Sequence, residues 1–559
     1  MSSEIIFNPK WNYKNRQAYI DSLKSGEFDL IIVGGGMTGA GIAREASLRG
    51  IKTALVDKDD FAFGTSSRST KLAHGGFRYL QQGEFKIVRE STTERNWIRN
   101  HFPNIVRPVA FNFGIFKGSS LPPFALKIGI WLYDLLSNAF SKFKNYGKHR
   151  FIKPEEFHKE EPTYKKDGLK LVGQYYDTNI DDARITMEAI KECVARGNLT
   201  ALNYAKVEGY IKKDGLIKGI KVTDQIDFEK FEIKGKQVVN ATGIWTDELL
   251  ENYPRKVIRP TKGVHVIVRR DKIKNESAFG LRSIDDRRVF FILPREDFTV
   301  IGTTDTDYKK DLDTPWCNKE DCDYLFKSVN YWFPDINLTY DDIISTYAGI
   351  RPLVRDPSAK DESDVSRKHE IFDTPDGLTT ITGGKLTIWR LMGEQLLYHL
   401  IKDKEIFDQE FSKEELKKGY SKQPMLIGLE REEWDDFVKK EKPKIDKDIL
   451  DHLYQQYGKG AFEIVKNIIS NPQLGKRFIK ENVFVPAEIH YILKYEFAPR
   501  LLDVLLRRTE IQLKVHHSKQ RKIAEAVAWI MAETYTWDKK KKEKEINDYL
   551  KYIKNTIWF

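Results

Sequence analysis

The chain has 559 residues, a formal net charge of +11 at pH 7, 40% hydrophobic and 12% aromatic content, and three cysteines. That is enough apolar material for two or three domains with a large core, while Cys193, Cys317 and Cys322 are too few and too scattered for a disulfide framework or a metal cluster, which fits a reducing cytoplasm. The basic balance, with a sequence pI near 9.0, suits an anionic substrate or an anionic membrane surface; no recognised nucleic-acid module accompanies it, which excludes nucleic acid as the partner.

Residues 1–28 are an N-terminal extension that mixes Trp11, Tyr13, Lys14, Arg16 and Asp21 without an apolar run, unlike a secretory signal. Next comes DLIIVGGGMTGAG, Asp29 to Gly41, an apolar strand running into glycines and then into an Ala-rich helical pattern. Gly34, Gly36 and Gly39 fit G-x-G-x-x-G. The first permits a tight turn, the second lets backbone approach a pyrophosphate, and the third lets the helix pack on the sheet. A second strand, KTALVDK, ends at Asp57, placed about twenty residues on, where a carboxylate accepts hydrogen bonds from ribose hydroxyls. Strand, turn, helix, strand and acid together predict a Rossmann-like dinucleotide site.

Gly64 to Phe85, GTSSRSTKLAHGGFRYLQQGEF, is too polar for a core and too specific for a spacer. Pro123 to Phe140, PFALKIGIWLYDLLSNAF, is interrupted by Lys127 and Asp134 and followed by the basic SKFKNYGKHR, so it falls short of the roughly eighteen uncharged apolar residues of a membrane span. Two readings of it stay open: a helix lying in an anionic lipid surface, or a buried connecting helix between domains. The segments VHVIVRR, RVFFILP and FTVIGTT predict an antiparallel sheet. Two apolar strands end in Asn240-Ala241-Thr242-Gly243 and Thr382-Gly383-Gly384, small-residue ends where backbone can approach a long flat cofactor. This favours FAD over a transient NAD, and no second G-x-G-x-x-G marks a separate nicotinamide domain. Cys317 and Cys322 lack a matching pair elsewhere, so no metal is expected. From about residue 405, Leu- and Ile-spaced charged segments predict helices, with Lys539 to Lys544 on a solvated face.

Taken with TSSRSTKLAHGGFRYL, the motifs VVNATGIWTD (Val238 to Asp247), IGTTDTDY (Ile301 to Tyr308), YAGIRPL (Tyr347 to Leu353), SRKHEI (Ser366 to Ile371), ITGGKLTIWR (Ile381 to Arg390) and AEIHYILKYEFAPRLLDVLLRRTEI (Ala487 to Ile511) follow one another as in a known family. The chain resembles the FAD-dependent glycerol-3-phosphate dehydrogenases over nearly its whole length. The resemblance implies an α/β fold: an FAD-binding, Rossmann-like doubly wound domain (29–100, 171–254, 345–400), an antiparallel-sheet substrate domain (101–170, 255–344) and an all-helical C-terminal domain (405–559). It also implies oxidation of sn-glycerol 3-phosphate to dihydroxyacetone phosphate, electron transfer to a membrane quinone, and a cytoplasmic enzyme held peripherally at the membrane; a homodimer is left open.

The cofactor-binding positions expected on this basis are Gly34, Gly36, Gly39, Asp57, Thr65, Ser66, Ser67, Ser69, Thr70, Lys71, Gly243, Gly384 and Thr387. A phosphate dianion is best held by guanidinium groups with a lysine as point charge. Arg78, Tyr79, Arg351, Arg367 and Lys385 fall where the family places its substrate-binding side chains. His74 is the candidate for taking the hydroxyl proton, since imidazole titrates near working pH; equally, a histidine before two glycines can anchor a loop to the flavin. Arg351 is the candidate for orienting the alcohol and stabilising developing alkoxide. Asp57 replaces the glutamate usual in relatives, and Trp389 stands where tyrosine is common. An oxidase that returns electrons to oxygen and a flavin-binding protein without turnover are the alternatives; the short stretch from Lys262 to Gly302 leaves no room for the insertion that oxidases often carry.

Overall fold

Five parallel strands define the cofactor half of the molecule. The computed structural model describes residues 7–81, 83–119, 121–139, 141–251, 253–355 and 368–557. Among these, an eight-stranded sheet runs in the order His369–Asp373, Thr379–Gly383, Lys230–Asn240, Glu27–Val33, Thr53–Val56, Leu199–Leu202, with the hairpin Ala205–Lys213 and Leu216–Asp224 hung on Lys230–Asn240. The central strand ends in a continuous apolar run, Leu30 to Val33, that is buried throughout, as expected of a parallel strand inside a sheet. Val33 pairs in parallel with Asn240 and with Val56, and Asn240 with Thr380. The carboxyl ends of these strands therefore share one edge, where open α/β sheets bind ligands. The glycine-started helix Met37–Leu48 crosses the helix Trp389–Tyr398 so closely that a Cβ on Gly41 would stand 2.6 Å from the Trp389 carbonyl oxygen.

A second, ten-stranded sheet is antiparallel except where Ala278–Arg282 runs parallel to Arg107–Phe116. Its longest ribbon pairs Ile258–Arg269 with Ile343–Val354. The strands of this sheet are drawn from more than one of the expected segments. Leu169–Asn179, Ile343–Val354 and the short strand Leu72–Ala73 all pair in this sheet, although 29–100, 171–254 and 345–400 were expected to belong to the cofactor domain. The apolar pattern of a strand does not say which of two buried sheets it joins; only the register of its partner decides that.

The helix Pro123–Ala139 has one buried face and one exposed apolar face. Leu126, Ile130, Tyr133 and Ser137 are buried against the second sheet, while Phe124, Ile128, Trp131 and Leu135 are 43–66% exposed and repeat at helical spacing on the opposite face. Among the described residues no helix is long and apolar enough to cross a membrane. From Arg431 onward the chain is helical, ending in Gln520–Tyr535 and Lys539–Thr556. The N-terminal extension is not loose: Trp11 is buried with its indole N–H donating to Ala201 O at 3.1 Å, and the Arg16 guanidinium pairs with Asp224 at 2.7 Å.

Candidate active site

A long cleft opens along the shared carboxyl edge, lined by Gly34, Gly36, Asp57, Gly64, Thr65, Ser66, Ser69, Gly243, Gly383, Gly384, Lys385 and Trp389. Its geometry fits FAD. Gly34 has φ +113°, and a Cβ there would stand 2.5 Å from the Ala241 carbonyl oxygen. A Cβ on Gly39 would overlap the Gly34 carbonyl; this glycine therefore serves the turn and lies outside the cleft lining. On Gly36 a Cβ would meet nothing nearer than Ser66 Oγ at 3.0 Å, so the space beside it is kept for something other than protein. The helix begins there without a side-chain cap at Gly36, the backbone arrangement that receives a pyrophosphate. Asp57 is fixed by backbone N–H donors from Gly35 (2.7 Å) and Asp59 (3.0 Å), and burial pushes its carboxyl up to about 7. Gly383 and Gly384 both have left-handed φ, +75° and +85°, and bring backbone to the cleft.

The other expected cofactor positions are spent largely within the protein. Ser66 Oγ accepts from Met37 N at 2.9 Å, and Thr65 Oγ1 donates to Ile350 O at 2.6 Å. Ser69 Oγ donates to Asp182 at 2.6 Å, and Ser67 lends its carbonyl to Lys71 at 3.3 Å. The Lys71 ammonium is buried between Asp182 (2.6 Å) and Glu510 (2.8 Å). The ammonium sits in an ion-pair network joining the loop to the C-terminal helices. Sequence shows a lysine in a polar loop; it does not show the two carboxylates, one of them more than four hundred residues away, that take it up.

Two polar clusters hang on the segment that follows Gly64. In the first, the half-buried His74 is held through its backbone: its N–H donates to Thr387 Oγ1 at 3.2 Å, and Thr387 Oγ1 donates to His74 O at 3.3 Å. Gly75 N donates to Tyr133 Oη at 2.9 Å. Lys385 stands with Nζ 3.6 Å from the centroid of the Tyr79 ring. Arg78 opens the short helix Arg78–Gln81 beside it. In the second cluster, Arg351 donates to Asp305 (2.9 Å), Thr303 Oγ1 (2.8 Å) and Thr304 O (3.1 Å), and its strand neighbour Pro352 lines the cleft. Arg367 lies outside the described residues.

His265, Thr303 and Asp305 are site candidates that sequence reasoning missed. His265 Nε2 lies 3.1 Å from Thr70 Oγ1, and its ring stacks on Tyr347 at 4.6 Å. Burial and the neighbouring Arg351 hold its imidazole well below the ordinary histidine range, so it is neutral at pH 7. The signal for it was the strand VHVIVRR, read only for its apolar alternation. Trp389 lines the cleft, and its buried indole N–H has no hydrogen-bond partner among the described residues. Among those residues, no group of three or more His, Cys, Asp or Glu is placed to hold a metal.

Residues 29–390 match the family model described as FAD dependent oxidoreductase, and residues 420–542 match that of the C-terminal domain of alpha-glycerophosphate oxidase. The chain is 38% identical over 498 residues, 87% of each chain, to an aerobic glycerol-3-phosphate dehydrogenase of Staphylococcus aureus. It is 40% identical over 392 residues, 69% of each chain, to that of Staphylococcus haemolyticus. The solved glycerol-3-phosphate dehydrogenase of Bacillus halodurans, complexed with FAD, superposes with a TM-score of 0.80 at 30% identity, covering 98% of both chains.

Proposed function

We propose a reaction for this site from the premise that the chain belongs to the aerobic, FAD-dependent glycerol-3-phosphate dehydrogenases: it oxidises sn-glycerol 3-phosphate to dihydroxyacetone phosphate. The observation that carries the residue assignment is the position of Lys385. It lines the cofactor cleft and at the same time stands over Tyr79 beside the glycines that follow His74. A cation for the phosphate and a base for the alcohol thus meet at one end of the dinucleotide site.

FAD, when bound, accepts the hydride leaving the carbinol carbon. The chain's own residues do the rest. Lys385, Arg78 and Tyr79, with Arg351 and Arg367, bind the phosphate and orient the alcohol. Arg351 is pre-aligned by Asp305 and Thr303, so little rotamer freedom is lost when substrate arrives. His74 takes the hydroxyl proton, its backbone being fixed at both N–H and C=O by Thr387. The alternative role for His74, anchoring the loop to the cofactor through its side chain, predicts lost FAD when that side chain is removed.

The electron acceptor is a membrane quinone in this reading, and the docking surface is the outer face of Pro123–Ala139. Phe124, Ile128, Trp131 and Leu135 form an apolar stripe, flanked by Lys142, Lys144, Lys148 and Arg150, the combination that seats a helix among anionic headgroups. A second reading, return of electrons to oxygen, draws on the match of residues 420–542 to a domain named for an oxidase. Anaerobic addition of glycerol 3-phosphate should bleach the flavin, with reoxidation by a soluble quinone much faster than by oxygen. Faster reoxidation by oxygen would make the protein an oxidase, and no bleaching would leave it a flavin-binding protein without turnover.

A further inference from the structure

We propose that Tyr133 is a positioning residue for the reaction: from the inner face of the surface helix, its hydroxyl fixes the Gly75 amide and so sets where the His74 imidazole stands. The inference rests on the reading of His74 as the proton acceptor. Tyr133 is fully buried and faces away from the exposed stripe. Its hydroxyl accepts from Gly75 N at 2.9 Å and donates to Asp177 Oδ1 at 2.7 Å. Asp177 also accepts from Gly75 N at 3.2 Å and pairs with the buried Arg95 at 2.5 Å, and Arg95 reaches back to Tyr133 Oη at 3.2 Å. One amide is thus gripped by a closed set of buried polar groups, an arrangement that fixes position because every member is satisfied by the others.

The grip falls where the loop has least stiffness of its own. Gly75 and Gly76 carry no side chains, and Gly76 has φ +78°. A Cβ on Gly75 would collide with Thr92 and with the Tyr133 hydroxyl, so the glycine is the condition for the close approach. Thr387 holds the His74 backbone from one side and Tyr133 holds that of its neighbour from the other, so the backbone that carries the imidazole is pinned on both sides. The cluster is more elaborate than packing needs: the ring of Tyr133 already sits edge-on to Phe77 (5.7 Å) and Tyr175 (5.2 Å), contacts a phenylalanine would keep.

Tyr133→Phe tests this, because it keeps the ring and removes the hydroxyl. Flavin bleaching at saturating glycerol 3-phosphate should slow on the order of tenfold to a hundredfold, the scale of a misplaced catalytic group, while FAD content and the half-saturating substrate concentration stay within about twofold. Asp177→Asn, similar in volume, should slow bleaching in the same way and serves if Tyr133→Phe does not fold. Combined with His74→Gln, the loss should not add: the double variant should bleach about as slowly as His74→Gln alone. Full-rate bleaching by Tyr133→Phe, a loss confined to substrate affinity, or additive losses would overturn the inference while leaving the role of His74 intact. Full-rate bleaching by His74→Gln would overturn that role itself.

Discussion

Gly36 and Gly39 lie three residues apart and are required for different reasons. A Cβ on Gly39 would overlap a backbone carbonyl, which cannot move without unseating the turn, whereas one on Gly36 would meet only a serine hydroxyl at 3.0 Å, which can rotate. Gly39→Ala should therefore lower the thermal midpoint of the apoprotein. Gly36→Ala should leave that midpoint nearly unchanged and reduce the FAD recovered with the purified protein, since its methyl would occupy the pyrophosphate's space. Absorbance at the flavin band, set beside calorimetry of both variants, checks the pair. Arg351 is a separate case, a guanidinium already tied to Asp305, Thr303 and Thr304. Arg351→Ala should keep FAD and lose about 2 kcal/mol or more of substrate binding energy. Catalytic efficiency toward glycerol 3-phosphate should then fall roughly thirtyfold or more. Undiminished efficiency in a variant that binds FAD normally would remove Arg351 from the substrate site.

At the level of elements, Pro123–Ala139 presents two different faces, and a separate role is proposed for each. Its inner face is polar where it matters: Tyr133 holds Gly75, and Ser137 accepts from Arg95 and, through its carbonyl, from Asn96 at 2.9 Å. Its outer face is apolar where solvent would favour charge. Each large side chain leaving water contributes about 1.5–3 kcal/mol, so replacing Trp131 and Leu135 by serine should weaken sedimentation with anionic vesicles by tenfold or more and leave FAD content unaltered. The basic flank adds an electrostatic component that salt screens. Sedimentation of the double variant equal to that of the unmodified protein would move the docking surface elsewhere.

Over the whole molecule, the cofactor domain and the C-terminal helices are joined by buried charge. Asp60, just beyond the strand Thr53–Val56, accepts from Arg507 at 2.5 Å and from Arg508 at 2.7 Å, and Arg184 pairs with Glu496 at 2.5 Å. Burial works against the charge of Asp60, but the two arginines outweigh it and hold the carboxyl down at about 2. A carboxylate held below its unfolded value contributes stability that is present above about pH 4 and is lost as pH falls through about 2. Acid should therefore loosen this junction in that window. Asp60→Asn leaves two buried guanidinium groups short of a counter-charge and should cost about 3–5 kcal/mol, read as a lower thermal midpoint at pH 7 with a shallower acid dependence than the unmodified protein. An unchanged midpoint would mean that the arginines find other partners.

What the sequence determined by itself is local and periodic. The glycine turn from Gly34 to Gly39, the acid at Asp57 and the strand ends near Gly243 and Gly384 were legible because each is a short run whose backbone geometry dictates its residue types, and the helical C-terminal domain was legible from its spacing. The apolar character of Pro123–Ala139 could be read as well, though not which of its faces would be buried. Tertiary structure alone decided which sheet receives Ile343–Val354 and Leu169–Asn179, because an apolar strand fits either sheet until its partner's register is fixed. It alone joined Lys71 to Glu510, Tyr133 to Gly75, and His265 to Thr70. A polar side chain in a sequence offers its donors to any partner, and the fold settles which one by burying both, since a buried polar group left unmatched costs more than any local preference can offset.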